Sequence, residues 1–245
     1  MRLKITLSYD GSAFYGFQHQ KNENTAFKTV AGSLEQSLKH LNIHTQVVGS
    51  GRTDRGVHAL AQVIHLDVPP LWQTQLEKLQ YLLNRTLLPH IHIKHISPVT
   101  QDFHARFSAK KRLYRYVLYD GMCQPFYANY ALHVKPLDVQ KLHTLAQVFT
   151  GFHNFEFFKK QGGGTTKNER TLFRTGAYRY KNFIVLYFFG DAFLRSQIRM
   201  MSDFLLKVCY KERRLEDLVA QINREKRIST ALLPPQGLYL SRIYY

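Results

Sequence analysis

The sequence predicts an α+β protein made of two halves that repeat one strand and helix rhythm. Three observations carry this reading. Apolar residues alternate with period two in segments such as LKITLSYD, as in strands packed on one face. Elsewhere they recur at helical spacing, and the strongest such stripe is Leu194, Ile198, Met201, Leu205 and Val208. The two patterns follow one another in the same order twice, with the change near residue 105.

In the first half, Leu3, Ile5, Leu7 and Tyr9 fall on one strand face and Lys4, Thr6 and Ser8 on the other. DGSAFYGFQHQKNENT then breaks the alternation. Phe27, Val30, Leu34, Leu38 and Leu41 resume at helical spacing, an apolar stripe suited to lying on a sheet. Residues 46–48 form a short strand that feeds the loop GSGRTDRG, and residues 60–68 form another. Leu76, Leu79 and Leu83 mark a second helix, and HIHIKHI at residues 90–96 a closing strand. The order β-α-β-β-α-β is that of a split βαβ, or ferredoxin-like, unit.

The second half opens on the basic run at residues 103–111, then the strand LYRYVLYDG with Tyr114, Tyr116 and Tyr119. Leu142, Leu145 and Ala146 predict a helix over residues 139–148. TLFRTGAYRYKNFIVLYFFG reads as a hairpin, with strands at 171–179 and 183–189 and a turn at Lys181-Asn182. After the strong stripe come a short helix at 215–222 and a last strand at 238–244. The halves are therefore residues 1–105, carrying the Asp54 loop, and 106–245, with added elements. KKQGGGTTKNER, residues 159–170, is a surface loop. It lacks the Gly-Lys-Ser/Thr ending of a P-loop and precedes no helical pattern, so backbone contact with nucleic acid is favoured over nucleotide binding.

The 245 residues are 44% hydrophobic and 13% aromatic, enough to build a core. Lys+Arg 34 against Asp+Glu 17 leaves a net charge of +17, which opposes compaction and calls for a polyanionic partner. A membrane is the weakest candidate, because no apolar run reaches the ~18 residues of a spanning helix. The N-terminus alternates from its first residues and has no apolar signal block, so a cytoplasmic protein is expected. Cys123 and Cys209 match no metal spacing and read as buried thiols in a reducing compartment.

GSGRTDRGVHA, residues 49–59, sets one carboxylate, Asp54, among two arginines and three glycines. A Gly- and Asp-rich turn, or an arginine-paired carboxylate, accounts for it without chemistry. A nucleophile accounts for it too: a carboxylate on a glycine-hinged loop at a strand end is presented outward, and Arg52 and Arg55 favour its ionised form. That setting argues against a general acid at neutral pH, and against Mg²⁺, which needs several oxygens. His58 lies in the same loop as a candidate for positioning backbone or phosphate. Neither it nor His65 has a Cys or His partner at ligand spacing, so no metal is expected. Arg112, Tyr114 and Tyr116 share one strand face. A packed aromatic is the plain reading of Tyr114, and a platform for an extruded base, worth about 1–3 kcal/mol of stacking, is the functional one. Phe155, Phe157 and Phe158 read as packing. Lys110-Lys111-Arg112, Lys159-Lys160 and Lys211 with Arg213-Arg214 are each a solvated face on their own. Together they outline a phosphate footprint.

The same residues carry a family resemblance. GRTDRGVHA resembles the RTDxGVHA signature of the TruA class of tRNA pseudouridine synthases. YDGSAFYGFQHQ (residues 9–20) is similar to that class's first loop, YDGxxYxGWQxQ, and FHARFSAKKRLYRYVLY (103–119) to its FxARFSAxxxxYxY segment. FLRSQIRMM (193–201) resembles its F(L/V)xxQVRxM helix, and PPQGLYLSRIYY its C-terminal strand. Five motifs in family order span nearly the whole chain. Three departures stand out: Phe17 replaces the tryptophan of GWQ and loses the indole N–H, Met200-Met201-Ser202-Asp203 replaces a run into glycine, and the glycines at 162–164 are an insertion.

The resemblance implies Asp54 as the nucleophile, Tyr114 as the tyrosine stacked on the target base, and Arg199 as the buried arginine paired with the carboxylate. It implies uridines at positions 38 to 40 of the tRNA anticodon stem-loop as substrate, no metal or cofactor, and a homodimer in which each tRNA touches both subunits. The implied fold is two ferredoxin-like halves joined in a continuous antiparallel sheet, with helices on one face and a basic cleft. Arg52, Arg55, His58, Lys110, Lys111, Arg112, Lys159 and Lys160 are then the candidate RNA contacts. A non-catalytic RNA-binding protein would fit the charge and the rhythm but leaves Asp54 idle in a site for phosphates. A metal nuclease is disfavoured because no second carboxylate accompanies the motif.

The charge generates the first prediction. With six or more phosphates neutralised, tRNA affinity should fall by about three decades between 50 and 200 mM salt, as read by filter binding across a salt series. A flat salt dependence would remove the extended phosphate footprint.

Overall fold

The computed structural model describes residues 1–19, 28–162 and 167–245. In chain order the elements are β1 (Arg2–Tyr9), α1 (Val30–Lys39), β2 (Val48–Gly49), β3 (His58–Asp67), α2 (Leu76–Leu87) and β4 (Ile91–Val99). Then come β5 (Lys111–Tyr119), β6 (Leu132–His133), α3 (Val139–Ala146), β7 (Gly151–Asn154), β8 (Glu169–Tyr180) and β9 (Phe183–Gly190). The chain closes with α4 (Gln197–Cys209), α5 (Leu215–Ile222) and β10 (Leu238–Tyr244). It separates into two compact units, Met1–Lys110 with Tyr239–Tyr245, and Lys111–Leu238.

In the first unit β1 lies between β3 and β4, antiparallel to both. The other edge of β3 takes two partners: β2 antiparallel at Ile64 and His65, and β10 parallel at His58 and Ala59. Leu3, Ile5, Leu7 and Tyr9 are all buried, as their period of two requires. Thr29 caps α1 by accepting the Gly32 N–H at 3.2 Å. Val30, Leu34 and Leu38 of α1 and Leu79, Leu83 and Leu87 of α2 form the buried helical stripes. Phe27, read as the start of the first stripe, lies outside the described residues, as do Gln20, Gly163 and Gly164.

In the second unit the order is β7-β8-β9-β5, antiparallel throughout, with β6 parallel to the end of β5 at Leu118 and Tyr119. The predicted hairpin is present, and Lys181 turns it with φ 52°. The helix expected over 139–148 ends at Ala146 and tightens into a 3₁₀ turn, Gln147–Phe149. The predicted stripe is buried, with Leu194 just before α4 and Ile198, Met201, Leu205 and Val208 within it, and so are Met200, Ser202, Phe204 and Leu206. Phe155 and Phe158 are fully buried and pack with Phe149, the Phe149–Phe158 centroids lying 5.3 Å apart.

The α+β class with helices on one side of the sheet is as the sequence predicts. Two pairings depart from an all-antiparallel arrangement, β10 on β3 and β6 on β5. A parallel neighbour needs a long connection, and in both cases the chain between the partners is long. The cysteines also differ from expectation. Cys123 is exposed, because it lies on the loop after β5, while Cys209 is half-buried and its thiol is pushed up to about 11 by burial.

Truncation in either core should be costly. Leu34→Ala and Leu205→Ala, at 1% and 0% exposure, are expected to lose about 2–5 kcal/mol each in urea unfolding. Leu71→Ala, on a side chain 68% exposed, should stay within about 0.5 kcal/mol. Equal losses at all three would contradict this core.

Candidate active site

The Asp54 loop is built between β2 and β3. Ser50 N–H donates to Val63 O at 2.8 Å, and Ser50 Oγ donates to Gln62 Oε1 at 2.7 Å. Gln62 Nε2 in turn donates to Gly51 O at 3.0 Å. Gln62 is fully buried, so it anchors the start of the loop from within β3. At the apex Val57 N–H donates to Asp54 O at 3.1 Å, closing a turn. Gly56 sits in that turn with φ 77°, a conformation glycine adopts without steric penalty. Asp54 is half-buried, whereas Arg52 and Arg55 are exposed. The Arg55 guanidinium carbon lies 4.1 Å from the centroid of the Tyr15 ring.

The loop after β1 lies against this segment. Phe17 N–H donates to Thr53 O at 3.1 Å, and the Tyr9 hydroxyl bonds Thr53 Oγ1 at 2.8 Å. Gly11 N–H donates to His58 Nδ1 at 3.0 Å. That bond makes Nδ1 an acceptor and places the ring proton of neutral His58 on Nε2. The ring stacks on Tyr239 with centroids 4.7 Å apart, and the Asp10 carboxylate lies 3.3 Å from Nδ1. Asp10 is itself held by Ser12, whose N–H and hydroxyl donate to Oδ1 at 2.9 and 2.7 Å. His58 is only 2% exposed, so of the two roles expected for it, backbone positioning is the one its surroundings serve. Phe17, in place of tryptophan, is buried with its ring against Gly49, where an added Cβ would stand 2.4 Å from Cε1. The aromatic packing survives the loss of the indole N–H.

The second unit carries the other two candidates. Tyr114 is buried on β5, and Phe193 meets it edge-on with centroids 5.2 Å apart. Arg199 is half-buried on α4. Its Nε donates to Leu233 O at 2.7 Å, and Leu233 N–H returns a bond to Arg199 O at 3.2 Å. Tyr116 is fully buried and its hydroxyl donates to Pro234 O. Burial raises the pKa of that phenol well above its ordinary value, with the nearby Arg199 charge pulling the other way. Where related helices run into glycine, Asp203 forms an ion pair with Lys207 one turn on, at 2.8 Å.

The basic residues divide. Lys110, Lys111 and Lys160 are exposed, and the Lys111 ammonium lies 4.8 Å from the Phe173 ring centroid. Lys159 is half-buried and donates to Asn168 Oδ1 at 2.6 Å. Arg112 departs from the expected solvated face: it is buried, and Nη1 donates to Asp191 O at 2.7 Å. Its place on the Tyr114 side of β5 explains this, since that side faces inward. Sequence reasoning missed Tyr9, Thr53, Gln62 and Asp191 as supports. Tyr9 and Gln62 were visible only as strand residues, and nothing local in the sequence names their partners.

Among the described residues no group of three or more His, Cys, Asp or Glu is arranged to hold a metal ion, and no helix is long and apolar enough to cross a membrane.

Residues 5–108 and 145–245 match the profile of a family described as tRNA pseudouridine synthase. The tRNA pseudouridine synthase A of Helicobacter hepaticus is 38% identical over 245 residues, covering 99% of this chain and 98% of that protein. That of Campylobacter jejuni is 39% identical over 245 residues and covers both chains completely. That of Helicobacter pylori is 38% identical over 248 residues, with 99% and 98% coverage. The chain belongs to the tRNA pseudouridine synthase family. It is accordingly an intramolecular isomerase that acts on uridine in tRNA.

Proposed function

We propose that this chain converts uridine to pseudouridine at positions 38, 39 and 40 of the tRNA anticodon stem-loop, with Asp54 as the nucleophile. The observation that carries the reading is the support of the Asp54 loop. Before the carboxylate the Thr53 carbonyl accepts from Phe17 N–H, after it the His58 imidazole accepts from Gly11 N–H, and Asp54 between them stays half-exposed. A nucleophile held so before the substrate arrives spends little free energy on orientation in the transition state.

The reaction breaks the N1–C1′ bond and rejoins the base through C5. It changes neither oxidation state nor net hydration, so it demands no cofactor. The Asp54 carboxylate attacks C1′ as N1 departs, or removes the C2′ proton to give a glycal. The freed uracil turns, C5 bonds C1′ as the carboxylate is displaced or the proton returned to C2′, and C5 then loses its proton while N1 gains one. Tyr114 is assigned the stack against the extruded base, and Arg199 the counter-charge to the Asp54 carboxylate. Arg52, Arg55, Lys110, Lys111 and Lys160 are exposed and suited to phosphates, with Lys159 beside them in the chain. Arg112 and His58 act through the structure they support. The family resemblance supports a cytoplasmic homodimer in which each tRNA touches both subunits.

Asp54→Asn should bind tRNA within about twofold of wild type yet lose about 10⁴-fold or more in turnover, measured by tritium release from C5-labelled uridine in tRNA. Normal turnover by that variant would end the nucleophile assignment. At the second position, Tyr114→Phe should keep the stack, and Tyr114→Ala should cost about 1–3 kcal/mol in transition-state stabilisation. Identical kinetics for the two would remove the platform role.

A further inference from the structure

We infer that Tyr9 and His58 are positioning residues, two buried latches by which the loop after β1 holds the catalytic carboxylate in place. The inference rests on Asp54 being the nucleophile. It concerns the segment from Thr53 to Val57, which carries that carboxylate between a glycine at 51 and another at 56. Such a segment has large conformational freedom of its own, and displacing a reacting group by about 1 Å can cost about 100-fold in rate. Something must remove that freedom.

The structure removes it at both ends. Upstream of Asp54, Thr53 is held twice, by the Tyr9 hydroxyl on Oγ1 at 2.8 Å and by Phe17 N–H on its carbonyl at 3.1 Å. Downstream, His58 receives the Gly11 N–H on Nδ1 at 3.0 Å. The partners all come from the end of β1 and the loop that follows it. Glycines mark the closest approaches. A Cβ at Gly11 would stand 2.1 Å from Val57 O, and one at Gly16 would stand 2.9 Å from Thr53 O. Gly16 also has φ 101°, which strains any other residue. The two loops therefore touch backbone to backbone on either side of Asp54, and side chains at 11 or 16 would push them apart.

The latches are also shielded. Tyr9, Thr53 and His58 are 5%, 7% and 2% exposed, so none of them offers surface for an RNA phosphate. Tyr239 fixes the plane of the His58 imidazole by stacking on it. A residue that positions the nucleophile without meeting the substrate should alter the chemical step and leave tRNA affinity alone. That separates this role from phosphate contact.

The test is single-turnover kinetics on an anticodon stem-loop, with tRNA affinity measured in parallel. His58→Phe keeps a ring against Tyr239 but removes the acceptor, and is expected to slow the chemical step about 10- to 100-fold with affinity within about twofold. His58→Asn places Oδ1 where Nδ1 accepts, and should recover the rate to within about threefold of wild type. Tyr9→Phe removes one oxygen and should slow the step about five- to tenfold. Because His58→Phe removes a buried acceptor, its thermal unfolding is compared with wild type, and Tyr9→Phe decides the question if that variant does not fold. A wild-type rate for Tyr9→Phe or for folded His58→Phe overturns the inference. So does an Asn variant as slow as the Phe variant, or a loss that appears in affinity. Asp54→Asn runs alongside: normal turnover there sinks the nucleophile assignment and the latches with it, whereas a dead Asp54→Asn beside unaffected latch variants sinks the latches alone.

Discussion

Two backbone amides, Phe17 N–H and Gly11 N–H, reach from the loop after β1 to Thr53 O and His58 Nδ1 and hold the Asp54 loop from both sides. Most of what is distinctive in the first unit serves that pair of bonds. β1 is buried along one face and ends in Tyr9, so the loop that follows starts from a rigid point. Gln62 pins the other end of the Asp54 loop from within β3. Glycines at 11 and 16 stand where any side chain would collide with the opposing backbone. The loop that carries Asp54 is braced by buried groups, Tyr9, Thr53, His58 and Gln62.

The C-terminal strand adds to the same frame. β10 runs parallel to β3 at His58 and Ala59, and Tyr239 lays its ring on the His58 imidazole. Residues more than 180 positions apart in the chain thereby share one local structure beside the Asp54 loop. Lys110 N–H donates to Tyr244 O and the Tyr245 hydroxyl to Ala105 O, so the far end of the strand is secured too. The price of this arrangement is a parallel pairing and a long return of the chain.

Charge works on a different scale. An excess of +17 draws the protein to a polyanion whatever the details of the fold. Within that excess the individual cations are not equivalent. Lys111 and Lys160 face water, whereas Arg112, next to Lys111 in the chain, is spent on the Asp191 carbonyl. Arg55 lies over Tyr15, which restricts a long flexible side chain close to the carboxylate loop. Clusters of basic letters therefore overstate the number of groups left for RNA.

Strand and helix periods were legible in the sequence because they arise from local backbone geometry: β1, the β8–β9 hairpin, α4, α5 and β10 all lie where the alternation and stripes put them. The motif loop was legible too, since a carboxylate between glycines and arginines is unusual in so basic a chain. Hidden from it were the buried state of Arg112, the exposure of Cys123, the proton's place on His58 and the bond from Tyr9 to Thr53. The amino-acid order by itself determined which segments are strands and helices, and that one aspartate sits among cations. Only the tertiary structure decided which loop braces that aspartate and which strand closes beside it, because those depend on hydrogen bonds between residues far apart in the chain, whose partners exist only once the sheet has formed.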